Sequence, residues 1–464
     1  MKTIVRRLIL YADGMRPTQI MVSGFAAIIV IGALLLTLPI ASQSGESIGL
    51  LNALFTATSA VCVTGLVMVD TATYWSLFGQ IVIITLIQIG GLGFMTVATM
   101  FSLMARKKIQ LRERLLIQES LNQADLSGLV RLTRFVLIIT ITIEGIGALV
   151  LSTVFIPQFG LSKGIWYSVF HAISAFCNAG FDLMGSVSGP FTSLNSYVNN
   201  FTVSMTVCAL IVLGGLGFPV VLDIVRKRRF SKLNVHSKVV LFSTATLIFV
   251  GALFIFLIEF NQKATMADLP LKGKVLSAIF QSVTARTAGF NTLDLATLRE
   301  SSVFVMIILM FIGASPASTG GGIKTTTLAV LIITVRSFLS GKSDIEAFER
   351  RLAPSTIKKS LGIFVISISA VIFGTLIISI TQPNFTLVQS AFEVTSALAT
   401  VGSSLAGTPN LNALGKIIII IFMFMGRVGF LFFFLGLILI MAILSGGRRK
   451  SQPIRYAEGK IMVG

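Results

Sequence analysis

The chain has 464 residues, 54% hydrophobic and only 12% charged, with a formal net charge of +19 and a mean hydropathy of +0.91. That composition lies far from the soluble range and makes the bilayer the solvent. Two histidines far apart and no His/Asp/Glu cluster leave little from which to build a catalytic or metal centre, so the composition points away from an enzyme and from an organic cofactor. Cys62, Cys177 and Cys208 lack ligand spacing and read as small buried hydrophobes.

In chain order, apolar runs long enough to cross a bilayer recur at 20–40, 135–156, 239–260 and 416–444. The first follows Arg6, Arg7 and Arg16 without a cleavage site and is expected to be a retained helix. Most of the 37 basic residues fall in the segments 1–19, 106–134, 226–238, 336–359 and 448–460. The positive-inside rule sets all five, and both termini, in the cytoplasm. Charge here reports topology rather than nucleic acid, and the same segments suit anionic lipid headgroups.

Four excursions between those segments give eight crossings. Each contains a short amphipathic stretch too short to span, at 51–66, 166–181, 275–290 and 388–403. These read LNALFTATSAVCVTGL, WYSVFHAISAFCNAGF, VLSAIFQSVTARTAGF and VQSAFEVTSALATVGS, an internal repeat. An aromatic stands ten positions before the glycine as Phe55, Phe170 and Phe392, and one residue closer as Phe280. Every repeat begins and ends inside, so the repeats are parallel and can surround one axis. The expected organisation is a cytoplasmic N-terminus (1–19), repeats at 20–105, 131–226, 237–340 and 357–445, and a cytoplasmic tail (446–464).

A dehydrated cation needs oxygens in place of water, and rings of backbone carbonyls supply them without a trapping charge. The candidates are the carbonyls of Val63, Thr64 and Gly65, of Asn178, Ala179 and Gly180, of Thr287, Ala288 and Gly289, and of Thr400, Val401 and Gly402. Glycine in each set permits the backbone angles such rings require. The C-terminal ends of the preceding short helices, partly negative, would face the cation. Asp70, Asp182 and Asp294 follow the loops and either raise local cation concentration or are ordinary loop acids.

A second motif trails each loop within the returning helix: QIGGLGF, VLGGLGF, FIGASPASTGGGIKT and FMGRVGF. The glycines of the first two fit helix packing as well as a water-lined surface. The third holds Gly313, Ala314, Ser315, Pro316, Ala317, Ser318, Thr319, Gly320, Gly321, Gly322 and Lys324, a composition that breaks a membrane helix and leaves backbone groups only weakly held. Arg427 inside the fourth apolar helix calls for a pore or interhelical partner, a salt bridge being the plainer alternative. Arg286 would repel cations if it faced the axis and is expected behind the loop, with Glu393 as a candidate partner; Glu144 and Glu259 carry no assignment.

These residues resemble the Trk/Ktr/HKT superfamily of cation transporters over nearly the whole chain, most specifically in TARTAGF, ASPASTGGGIKT and FMGRVGF. The start of the first repeat by Ile20 resembles the shorter, KtrB-type branch. The resemblance implies an all-α integral membrane fold of four M1–pore loop–M2 units, with eight transmembrane helices and four re-entrant pore helices around a single pore. It implies potassium as the transported ion at the filter carbonyls, sodium dependence as in some members, and obstruction by the third-repeat loop 313–324 and Arg427. It further implies a homodimer on a cytosolic KtrA-type nucleotide-binding ring in a bacterial plasma membrane. The rivals are an alternating-access, sodium-coupled carrier, which inverted repeats would favour, and a nucleotide enzyme, which fails because Ile323 separates glycine from lysine in GGGIKTTT. A structural scaffold would not need four glycine-centred loops.

Overall fold

The computed structural model describes residues 17–93, 96, 129–342 and 344–429. The segment before residue 17, most of the basic segment 106–134, the first returning helix beyond residue 96, the fourth beyond Gly429 and the tail 446–464 lie outside the described residues.

Four long apolar helices set the frame: α1 (Pro17–Thr37), α4 (Leu129–Phe159), α8 (Val235–Glu259) and α12 (Pro354–Thr381). They have 21, 31, 25 and 28 residues, enough to cross about 30 Å of hydrocarbon at about 1.5 Å per residue. Large apolar side chains on these helices, Ile141, Phe249 and Phe373 among them, point outward and exposed, as lipid-facing residues do. Each is followed by a short helix: α2 (Leu50–Val61), α5 (Leu161–Phe176), α9 (Leu271–Thr284) and α13 (Leu387–Ala399). These are 12, 16, 14 and 13 residues long, too short to span, and they sit inside the molecule. Their aromatics Phe55, Phe170, Phe280 and Phe392 are each 0% exposed and form the centre of the core.

The chain then turns back into α3 (Leu77–Leu92), α6 (Phe201–Gly215), α10 (Glu300–Phe311) and α14 (Ala413–Val428). Three begin on a polar side chain that takes the first free amide, Ser76 from Gly79, Asn200 from Val203 and Asn412 from Gly415, which satisfies donors a bilayer would leave bare. None continues as one long span among the described residues. The second, whose glycines fitted helix packing as well as a water-lined surface, bends by 97° between α6 and α7 (Phe218–Lys227). Gly93, Gly217 and Gly429, with φ of 80°, 91° and 96°, end the helical run at the same place in three repeats. In the third, α10 stops at Phe311 and α11 (Thr325–Leu339) resumes after the loop. The trailing motif is therefore a helix-breaking device in every repeat and not only in the third.

The glycines three residues before those breaks, Gly90, Gly214 and Gly426, have a separate task. A Cβ on Gly90 would meet the carbonyl of Val61, one on Gly214 that of Phe176, and one on Gly426 that of Leu398. Each returning helix thus presses its backbone onto the end of its own repeat's short helix, and packing is the use these small residues serve. We expect Gly90→Ala, Gly214→Ala and Gly426→Ala each to destabilise the detergent-solubilised protein by about 1–3 kcal/mol, seen as a lowered melting temperature. Gly362→Ala, which meets nothing within 4 Å, should leave it unchanged.

Candidate functional site

At the inner ends of α2, α5, α9 and α13 the helical run stops, and the next residues take alternating backbone signs. Val63, Asn178, Thr287 and Thr400 have φ of 58°, 60°, 74° and 53°, and two residues later Gly65, Gly180, Gly289 and Gly402 have 92°, 70°, 79° and 94°. The glycines adopt this at little steric cost. Three of the other four are β-branched, and left-handed geometry costs such residues about 1–2 kcal/mol each. The sequence signals only the glycine; the strained residue two places earlier has none. Strain repeated at four equivalent places is held by its surroundings.

The four segments close on one another. A Cβ on Gly65 would meet the Ala179 carbonyl at 2.5 Å, and one on Gly180 the Ala288 carbonyl at 2.5 Å. The same construction takes Gly289 to the Val401 carbonyl and Gly402 to the Thr64 carbonyl. Each glycine therefore lies against the carbonyl preceding the glycine of the next segment, and the fourth returns to the first. Four of the sequence's carbonyl candidates, those of Thr64, Ala179, Ala288 and Val401, stand in this circuit, and the side chains of these four residues are buried. Between the neighbouring second and third segments, the Asn178 amide, oriented with its nitrogen toward the carbonyls of Ala175, Phe176 and Ile211, accepts from the Thr287 hydroxyl at 3.1 Å.

On one side of the ring lies a cavity of about 340 Å³ lined by the four glycines together with Asp70, Asp182, Asn291 and Ser404. Asp70 is committed to structure: Oδ1 accepts from the Ala72 and Thr73 amides at 3.1 and 2.9 Å, and Oδ2 from the Phe191 amide at 3.2 Å. Asp182 accepts from the Met184 amide at 2.9 Å. Asp294 does not line the cavity and caps a single turn through the Ala296 amide at 3.0 Å.

On the other side sits the loop between α10 and α11. A Cβ on Gly320 would meet the Thr287 hydroxyl and one on Gly321 that of Thr400, so the glycines let the loop lie directly against the ring. The loop is well held, contrary to the expectation of weak bonding. The Ser315 and Thr319 amides donate to the carbonyls of Gly215 and Gly214 at 3.0 and 3.2 Å, and Ala317 accepts from the Phe218 amide at 3.0 Å. Thr319 Oγ1 donates to the Phe176 carbonyl at 3.1 Å, and Thr400 Oγ1 accepts from the Gly321 amide at 3.1 Å. Ser315 and Thr325 share a hydroxyl contact at 3.0 Å, Ser318 donates to the Ser315 carbonyl at 2.6 Å, and Lys324 Nζ to that of Gly320 at 2.8 Å. Ile312 and Ile323 bridge at its base, with Gly313, Ala314, Pro316 and Gly322 between them. The bend at Gly215–Gly217 frees the carbonyls that the loop's amides use.

Arg427, at the end of α14, meets no carboxylate among the described residues. Its guanidinium donates to the carbonyls of Thr319, Gly90 and Gly91. Gly90 and Gly91 belong to the first repeat and Thr319 to the third, which are opposite in the ring order, so the guanidinium spans the interior beneath it. Arg286 is buried behind its segment and donates to Thr244 at 3.5 Å. Its expected pairing with Glu393 is not formed: Glu393 accepts from Ser404 and Thr408, each at 2.7 Å. Glu259 takes Ser302 at 2.5 Å and the Arg299 amide at 3.0 Å, and Glu144 takes Gln88 at 3.3 Å.

Two sets of anchoring residues escaped the sequence reading. His171 in α5 bonds the Tyr167 carbonyl through Nδ1 at 2.7 Å and accepts the Leu183 amide at Nε2. Ser59, Ser174, Thr284 and Ser396, near the ends of the short helices, tie the ring segments to those helices. A hydroxyl six residues before the glycine in three repeats and five in the third was the signal, and it shifts with Phe280.

The fold is thus helical, with four long apolar helices, four short ones whose ends meet in a closed circuit of glycine against carbonyl, and a broken helix packed beneath. The chain belongs to the TrkH family of cation transport proteins, which it matches over residues 10–442. It is 41% identical to the potassium/sodium uptake protein NtpJ of Enterococcus hirae over 451 residues, covering 97% of each chain. It is also 41% identical to the Ktr system potassium uptake protein B of Bacillus subtilis, again over 97% of each. The crystal structure of the potassium transporter TrkH from Vibrio parahaemolyticus shares its fold, with a TM-score of 0.71 at 16% identity, covering 92% of this chain and 86% of that one.

A cysteine placed at Asn410, which lines the cavity, should react with an impermeant maleimide added to intact cells. One placed at Lys232, in the basic turn after α7, should react only after the membrane is opened.

Proposed function

We propose that the chain carries potassium into the cell through the ring, with the carbonyls of residues 63–65, 178–180, 287–289 and 400–402 as the selectivity filter of a pseudo-fourfold pore of four M1–pore loop–M2 repeats. The observation that carries this is the closed circuit of glycine against carbonyl through all four segments. Carbonyl oxygens so gathered replace a cation's hydration shell, and the absence of a fixed charge in the ring lets the ion leave again. The names of the relatives at 41% identity agree with potassium as cargo and, for one of them, with sodium beside it.

The loop 313–324 and Arg427 form the barrier. The guanidinium lies between opposite repeats beneath the ring, and its charge together with the packed loop stands against an ion leaving the filter on that side. The loop's bonds to the α6 bend and to Thr400 hold it shut, so opening requires a partner that favours another arrangement. Such a partner fits a cytosolic nucleotide-binding ring of the KtrA type, acting on a homodimer of this chain in a bacterial plasma membrane with both termini inside.

Two experiments test this. Gly65→Ser restricts a backbone held at φ 92° and adds an atom facing the Ala179 carbonyl, so the preference for potassium over sodium in uptake by cells lacking other importers should fall; an unchanged preference removes Gly65 from the filter. Deleting residues 319–321 takes away an Arg427 acceptor and the Thr400 donor. Potassium flux into liposomes without any cytosolic partner should rise while the ion preference stays. A folded deletion protein with unchanged flux would leave Arg427 as the principal barrier, and Arg427→Ala would then be the variant that conducts.

A further inference from the structure

The hydroxyls that tie the ring to the short helices do not all make the same bond. Ser59 Oγ accepts the Gly65 amide at 3.1 Å and Ser396 Oγ accepts the Gly402 amide at 3.0 Å. Ser174 Oγ instead donates to the Phe181 carbonyl, and Thr284 Oγ1 to the Phe290 carbonyl, each at 2.7 Å. No side chain among the described residues takes the Gly180 or Gly289 amide. The four repeats therefore divide into two pairs, and the pairs are neighbours in the ring, because Gly402 lies against the Thr64 carbonyl and Gly180 against the Ala288 carbonyl.

The difference matters through the geometry of one peptide unit. The Gly65 amide and the Thr64 carbonyl belong to the same planar trans group and point in opposite directions, and no peptide bond among the described residues is cis. A hydroxyl that holds the Gly65 N–H back toward α2 therefore turns the Thr64 C=O away from it, toward the ring. Ser396 does the same for Val401. Both serines are 0% exposed, so no water stands in when the hydroxyl is lost. Each also grips the chain a second time, its own carbonyl accepting the Thr64 or Val401 amide at 2.8 Å. Ser174 and Thr284 hold the carbonyl one residue beyond the glycine, that of Phe181, which lines the cavity, and that of Phe290, between the lining residues Gly289 and Asn291, and leave the Ala179 and Ala288 peptides free of a side-chain lock.

Resting on the filter reading above, we propose that Ser59 and Ser396 are positioning residues that aim the Thr64 and Val401 carbonyls, and that discrimination among monovalent cations depends chiefly on the half of the ring built by the first and fourth repeats. Ser174 and Thr284 shape the outer entrance instead. The filter is then twofold in its support where it is fourfold in its carbonyls.

The test compares Ser59→Ala, Ser396→Ala, Ser174→Ala and Thr284→Val of the full chain in liposomes, reading the potassium-to-sodium flux ratio and the apparent KM for potassium. Ser59→Thr and Ser396→Thr serve as rescues, Gly65→Ser as reference, and size-exclusion profiles and melting temperatures as checks of folding. An orphaned buried amide lets its peptide rotate, so S59A and S396A should each lower the flux ratio by about tenfold, with the threonine variants close to the parent. S174A and T284V should hold the ratio within about twofold and move KM instead. A flux ratio preserved in folded S59A and S396A while G65S lowers it overturns the positioning role alone, and equal losses in all four overturn the division into halves. A ratio unmoved by G65S as well overturns the filter reading beneath it. Should S59A fail to fold, S396A reads the same bond, since α13 is secured independently by the capping box of Thr386 and Gln389.

Discussion

Backbone amides and carbonyls inside a bilayer have no water to turn to, and each must find a partner in the protein. That requirement organises this structure. Four chain segments leave helical geometry inside the molecule, and each leaves amides that need other acceptors. The hydroxyls of Ser59 and Ser396 take two of them, while the backbone carbonyls of Ser59, Ser174, Thr284 and Ser396 take the amides just before the glycines. Beneath the ring, the helix broken at Gly215–Gly217 and the loop after α10 solve the problem jointly, with the carbonyls of Gly214 and Gly215 bonded to amides of Thr319 and Ser315.

Arg427 belongs to the same account. A guanidinium in an apolar helix is expensive unless its donors are met, and here they are met by the carbonyls of Gly90, Gly91 and Thr319, all lying at helix breaks. The breaks that open the backbone thus create the acceptors that make the charge tolerable, and removing either leaves the other unsatisfied. The loop, the α6 bend and the arginine are bonded as a set.

The internal cavity and the ring divide the polar residues by task. Asp70 read as a possible acid near an ion path, Glu393 as a partner for Arg286 and Glu259 as unassigned, and each is occupied by amides or hydroxyls of its own surroundings. The ring itself carries no formal charge. On the proposed reading of the ring as a filter, affinity is left to oxygen dipoles, which suits an ion that has to depart as well as bind.

Much of the architecture was legible in the sequence because it follows from local rules. Apolar runs of bilayer length, basic clusters between them and four recurring aromatic-to-glycine stretches define the helices and the carbonyl candidates without knowledge of any contact. The break in the third returning helix was legible too, since no continuous lipid-facing helix holds ASPASTGGG. What the chain's own residues could not disclose is decided by distance in space. The run ending at Gly217 fits packing surface by composition, yet the helix bends there by 97°, and the carbonyls this exposes are met by amides of the loop 313–324, which belongs to another repeat. Arg286 and Glu393 suggested a pair by charge alone, yet the fold buries them with separate partners, Thr244 for one and Ser404 with Thr408 for the other. Periodicity and composition report what a segment needs, an apolar face or a partner for each polar group. Only the tertiary structure decides which segment, a hundred or more residues away, meets that need.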